Sequence, residues 1–166
     1  MKRLLVIVLL MPFICHMNSF GQKKTKCINL VISIDDNVVV GSVYCLQFIE
    51  SDMNDNKKVF KADYIPGELS IKKADLKEIV SDKGKTIFLA FEYHEYIKEK
   101  LISHVYKIEI DKGWFQQSFI VLHIYNLDKE KYQKIFDPLE GCNYTYELDF
   151  SSNSMRRIRK YSSETK

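Results

Sequence analysis

Apolar residues in this chain fall mostly on every second position, in short runs separated by small polar clusters. In Cys27 to Ile34 the residues Ile28, Leu30, Ile32 and Ile34 share one face, which predicts a half-buried strand. Asp35-Asp36-Asn37 then supplies a turn, because short polar side chains bond their own backbone and tolerate unusual dihedrals. Val38 to Ile49 predicts a second strand, with Gly41 marking a bulge or a close backbone approach. Glu50 to Lys58 is polar and reads as a loop. Val59-Phe60 and Tyr64-Ile65-Pro66-Gly67 predict an edge segment closing in a turn, followed by a short strand over Glu68 to Ile71.

The second half is patterned more strongly. Thr86 to Tyr96 predicts a strand with Ile87, Leu89, Phe91 and Tyr93 on one face, followed by a charged connection from Ile97 to Ser103. His104 to Ile110 alternates again, and Asp111-Lys112-Gly113 reads as a hairpin-type turn. Trp114 to Tyr125 is the next predicted strand, apolar on both faces from Phe119 onward and therefore central. Tyr144, Tyr146, Leu148 and Phe150 alternate strictly in the last one. Only two segments carry the helical period: Ala74 to Val80, with Leu76, Ile79 and Val80 on one face, and Lys129 to Phe136, stopped by Pro138.

Six to eight short strands, one or two short helical turns and no strand-helix-strand rhythm predict an all-β domain, specifically a two-sheet antiparallel sandwich. In strand pattern alone the layout resembles transthyretin-like and immunoglobulin-like sandwiches. No family motif accompanies that likeness.

The N-terminus changes the picture of where the domain works. Lys2 and Arg3 precede the apolar run Leu4 to Ile14, after which polarity rises through His16, Asn18 and Ser19. That order is the pattern of a secretory signal, and its apolar core is too short for the roughly 20 residues of a bilayer crossing. Ser19-Phe20-Gly21 before Gln22 offers small residues at the cleavage positions. This end resembles leaders of Gram-negative bacterial exported proteins. Lipid anchoring at Cys15 is disfavoured, because Ile14 stands where a small residue is required. The expected organisation is a signal over 1–21, one β-rich domain over 22–155 and a basic, polar tail over 156–166. The expected location is the periplasm or the outside of the cell, with the envelope nearby and no transmembrane span after cleavage.

Charge argues against nucleic acid. The chain has 25 Lys+Arg against 22 Asp+Glu, and Lys2 and Arg3 leave with the leader, so the domain is close to neutral. Three cysteines remain after cleavage. Cys27 and Cys142, near the two ends of the domain, leave two readings open: a bridge between terminal strands, or three buried thiols including Cys45.

Chemistry is sparse. There is no nucleophile elbow, no phosphate-cradling loop and no Cys-x-x-Cys pair, so neither an enzyme nor a cofactor is expected. The lead expectation is a non-catalytic binding or scaffolding module with a protein partner in the envelope. Its interaction candidates are Trp114 and Phe115 and the basic cluster Arg156, Arg157 and Arg159, since Trp and Arg are the usual interface anchors. The alternative from another class is a small metal-dependent hydrolase. Glu92 and His94 share a strand face and would be two of its ligands, with His104 or His123 as a third. Abundant tyrosine also allows a small-ligand or glycan binder.

Overall fold

A computed structural model describes residues 24–41, 43–52, 54, 56–81 and 84–160. The predicted leader, Cys15 and residues 161–166 of the tail lie outside them. Ten strands are present: β1 (Thr25–Ile34), β2 (Asn37–Val38), β3 (Tyr44–Ser51), β4 (Lys57–Ile65), β5 (Gly67–Lys72), β6 (Thr86–Ile97), β7 (Lys100–Ile110), β8 (Ile120–Asn126), β9 (Tyr144–Phe150) and β10 (Ser154–Met155). Two α-helices, α1 (Lys73–Ser81) and α2 (Glu130–Gln133), and a 3-10 helix (Lys112–Gln116) complete the elements among the described residues. The all-β class holds.

The arrangement is one curled mixed sheet, where the strand pattern suggested two antiparallel sheets. Its order is β10-β9-β8-β1-β5-β4-β3-β6-β7, with β2 hanging from β1. Every pairing is antiparallel except β1 with β8, which run parallel from Leu30 beside Ile120 to Ile34 beside Ile124. The connection between them is nearly the whole of the sheet's other half.

Alternation explains the core. Ile28, Leu30, Ile32 and Ile34 of β1, Leu46 and Phe48 of β3, Leu69 and Ile71 of β5, and Ile87, Leu89 and Phe91 of β6 all turn inward and are buried. So do Tyr106, Ile108 and Ile110 of β7, Ile120, Leu122 and Ile124 of β8, and Tyr144, Tyr146 and Leu148 of β9. Helix α1 closes one end of this core with Ile79, which is fully buried.

The curl brings the β7 end of the sheet against β9 without a backbone ladder between them. Tyrosine hydroxyls do the joining. Tyr144 Oη accepts from the Lys107 N–H at 2.7 Å and donates to the Lys107 carbonyl at 2.9 Å, and Tyr146 Oη donates to the Glu109 carbonyl at 3.4 Å. Burial raises the Tyr144 hydroxyl to about 12 and pushes Tyr146 upward as well, so both stay neutral donors at physiological pH.

Several local expectations are corrected. The predicted strand Val38 to Ile49 is broken, with β2 ending at Val38 and β3 starting at Tyr44. Cys45 there has a φ of 52°, and the ladder to β6 shifts register between Tyr44 and Gln47. The segment Val59 to Tyr64 is not an edge. It belongs to β4, which lies between β3 and β5, and it turns into β5 through Pro66-Gly67 with Gly67 at a φ of 90°. Ile97 to Ser103 is no loose connection either, because β6 and β7 remain paired down to Ile97 and Lys100.

Candidate functional site

The seam between β7 and β9 widens at the α1 end of the molecule into a cleft of about 500 Å³. The 3-10 helix makes one wall. Asp111 Oδ1 accepts from the Gly113 N–H at 2.6 Å and so winds the chain into a 3-10 turn where the sequence pattern predicted a strand beginning at Trp114. A Cβ at position 113 would come within 2.8 Å of the same carboxylate oxygen, so a larger residue there would displace the Asp111 side chain from this bond. The turn drops Trp114 into the core, where Phe150 meets it edge-on at 6.0 Å between ring centres.

The floor of the cleft is apolar, formed by Trp114, Leu148, Phe150 and Met155. Its rim is polar, with Glu109 and Asp111 on one side and Asn153 and Arg157 on the other. Arg157 is held in place: its Nε donates to the Tyr146 carbonyl at 3.3 Å, its guanidinium lies 4.7 Å from the Tyr146 ring centre, and its backbone N–H donates to Glu147. The Tyr146 hydroxyl also bonds the guanidinium, which opposes the upward push of burial on that hydroxyl.

The two groups of interaction candidates thus meet in part. Trp114 and Arg157 line the same cleft, but Trp114 is only 6 % exposed and anchors the protein's own core instead of protruding. Phe115 turns to the other side and packs against Phe48. Arg156 and Arg159 are committed elsewhere. Both reach Glu147, at 3.6 and 3.4 Å, and Arg156 also pairs with Asp149 at 2.5 Å. Glu147 is 1 % exposed, on the outer face of β9, so the start of the predicted tail is folded down onto that strand. Lys160 fixes its far end by hydrogen bonds to the Ile135 and Gln133 carbonyls.

Glu92 and His94 do lie side by side on β6, but as a pair. His94 Nε2 and Glu92 Oε1 are 2.8 Å apart, Ser103 Oγ donates to the same carboxylate oxygen, and the His94 ring stacks on Tyr44. The Ser103 and His94 hydrogen bonds hold the Glu92 carboxyl below the usual range. His104 lies on the opposite face of the hairpin, stacked on Tyr106. His123 is on β8, bonded to Asp149 at 3.1 Å. Among the described residues no three His, Cys, Asp or Glu converge to hold a metal ion.

Of the two readings left open for the cysteines, the bridge between Cys27 and Cys142 does not form. The ladders put Cys27 beyond the start of β8 and Cys142 beyond its end, some eleven β8 positions apart, or about 35 Å along the strand. A disulfide requires Cα atoms within about 7 Å.

A second polar centre occupies the far end of the core. Asp35, with a φ of 53° in a two-residue turn, accepts from both the backbone N–H and the side-chain amide of Asn126 at 2.8 Å. Tyr106 Oη donates to Asn126 Oδ1 at 3.0 Å, and Lys129 pairs with Asp35 at 2.7 Å and approaches Glu95 at 3.8 Å. Each member serves a neighbour, and this network ties β1, β7 and β8 together.

Sequence reasoning missed Glu109, Asp111, Asn153 and Met155 as cleft residues. Tyr146 was legible only as core. The one available signal was the Asp-x-Gly spacing before Trp114, which marks a side-chain capped turn. Among the described residues no helix is long and apolar enough to cross a membrane. Compared with protein-family models, curated proteins and solved structures, the chain finds no match.

Proposed function

We propose that this chain is an exported, non-catalytic binding module, and that it holds a short segment of an envelope protein in the cleft at the β7–β9 seam. Export is supported by the leader pattern from Lys2 to Gly21. The carrying observation for binding is the Arg157 guanidinium, fixed over Tyr146 at the polar rim of an apolar-floored cleft. An acidic group of the bound segment would pair with Arg157, while a neighbouring apolar side chain enters between Leu148, Phe150 and Met155. Small polar cofactors and sugars fit less well. Trp114 is buried and met edge-on by Phe150, which leaves little open ring face for sugar stacking.

The test is photo-crosslinking in cells. A benzophenone amino acid placed at Asn153, on the exposed rim, should trap a partner chain, and Arg157→Ala should abolish the adduct. The same probe at Lys61, exposed on β4 away from the seam, should trap nothing. No adduct at Asn153, or equal adducts at both positions, overturns the cleft assignment.

A further inference from the structure

The β6–β7 hairpin outruns the rest of the sheet. β3 pairs with β6 only between Thr86 and Glu92, whereas β6 and β7 continue together to Ile97 and Lys100. The hairpin closes through Lys98 and Glu99, both with positive φ (47° and 64°), the two-residue turn whose twist matches the strands. In such a hairpin the residues flanking the turn form a hydrogen-bonded pair, and the pattern alternates from there. Even-numbered residues of β7 therefore direct their backbone groups to β6, and odd-numbered residues direct theirs outward. The seam shows the same parity, since Tyr144 and Tyr146 bond the outward groups of Lys107 and Glu109.

Nearer the tip the outward groups of Leu101, Ser103 and Val105 meet no hydrogen-bond partner among the described residues. Their side chains share the outer face, with Leu101 51 % and Val105 69 % exposed. An unpaired strand edge bearing apolar side chains is a template for another strand.

We infer that a second copy of this chain occupies this edge, β7 pairing with β7 antiparallel about a two-fold axis through Ser103. The pattern selects that axis. It sets Leu101 against Val105 of the second copy and Glu99 against its Lys107, with the small Ser103 on the axis. An axis through Ile102 sets Val105 against Glu99, and one through His104 sets Leu101 against Lys107. Only the Ser103 register matches apolar with apolar and joins opposite charges. It adds about six backbone hydrogen bonds, two at each outward pair. It ends at Lys107 because the Tyr144 hydroxyl already holds that residue. A contact this small belongs to the weak, concentration-dependent class.

Cysteine trapping tests both the dimer and its register, in a Cys45→Ser background that removes the exposed native thiol. Across the axis the two Ser103 Cα atoms lie about 5.5 Å apart, within disulfide range. Two Leu101 residues, displaced four positions, lie about 13 Å apart and cannot bridge. Ser103→Cys should therefore give a covalent homodimer on mild oxidation, and Leu101→Cys should not. The double variant Leu101→Lys with Val105→Lys changes only exposed outer-face positions. It should sediment as a monomer at about 100 µM, where the unmodified protein shows dimer. A monomer for the unmodified protein at that concentration overturns the inference. So does equal trapping at both cysteine positions, or a different chain captured at Ser103→Cys.

Discussion

The hydroxyl of Tyr144 serves both backbone groups of Lys107, taking the proton of its N–H at 2.7 Å and giving its own to the carbonyl at 2.9 Å. One side chain does there what a strand would do for one residue. Tyr144→Phe leaves that N–H and carbonyl without partners, and a stability loss of about 1–3 kcal/mol is expected. Urea unfolding should show a lower midpoint at unchanged slope, because the surface exposed on unfolding stays the same.

The same hydroxyl predicts an alkaline limit. Tyr144 is raised by burial from about 10 to about 12, so the folded state holds the proton more tightly than the unfolded chain. Its contribution is fully present below pH 10 and is lost as pH rises through 12. Tyr146 is shifted in the same direction. Trp114 is the only tryptophan, and it lies at the seam. Its emission should move to the red as the pH climbs from 10 to 12, and Tyr144→Phe should blunt that transition.

Glu147 is the buried anion that gathers Arg156, Arg159 and the Arg157 backbone. Glu147→Ala removes the shared acceptor. Residues 156–160 should then exchange amide hydrogens faster by at least tenfold, and the domain should lose about 1–3 kcal/mol. Exchange in β1 and β6 should fall behind only by the global loss. Unchanged protection over 156–160 would mean that Lys160 and the Phe136–Arg159 bridge hold the segment without the carboxylate.

Ile79 tests the closure of the core by α1. It is fully buried beneath a short helix whose other apolar side chains are partly exposed. Ile79→Ala should cost about 2–5 kcal/mol by cavity formation, read from thermal or urea unfolding, and Val80→Ala on the exposed side should cost under about 1 kcal/mol.

Thiol mapping provides a separate check on the sheet. With Cys27 and Cys142 at opposite ends of the ladder, peptide mapping under non-reducing conditions should show no bridge between them. Cys45, the most exposed of the three, should be alkylated first.

What was legible in the chain was what neighbouring residues decide. The alternation of β1, β6 and β9, the helical segments over Ala74 to Val80 and from Lys129, and the turn at Asp35-Asp36 follow from side chains within a few positions of each other. The failures lie where distant segments decide. Nothing in Thr25 to Ile34 announces a parallel partner at Ile120, so the layout read as antiparallel sheets. Val59-Phe60 and Tyr64 to Gly67 looked like an edge segment closing in a turn, yet Lys61 and Asp63 between them line the outer face of an interior strand. Trp114 and Arg157 were singled out for their types. Their meeting in one cleft depends on the curl that sets β7 against β9, and no local pattern encodes it. Glu147 shows the same limit, since a lone glutamate between Tyr146 and Leu148 gives no sign of being covered by the arginines that follow.

The parallel pairing of β1 with β8 also dictates an order of assembly. β1 is the first part of the domain to be synthesised, but the strand that flanks it on one side lies about 90 residues further on, as the bonds from Asn29 to Ser118 and from Asp35 to Asn126 record. Closing so long a loop is entropically slow, and the middle of the sheet stays incomplete until most of the chain is available. β3 through β7 can pair with their sequence neighbours early. β1 is made first and is secured on both sides only near the end, which keeps the chain open for longer than a meander of equal size.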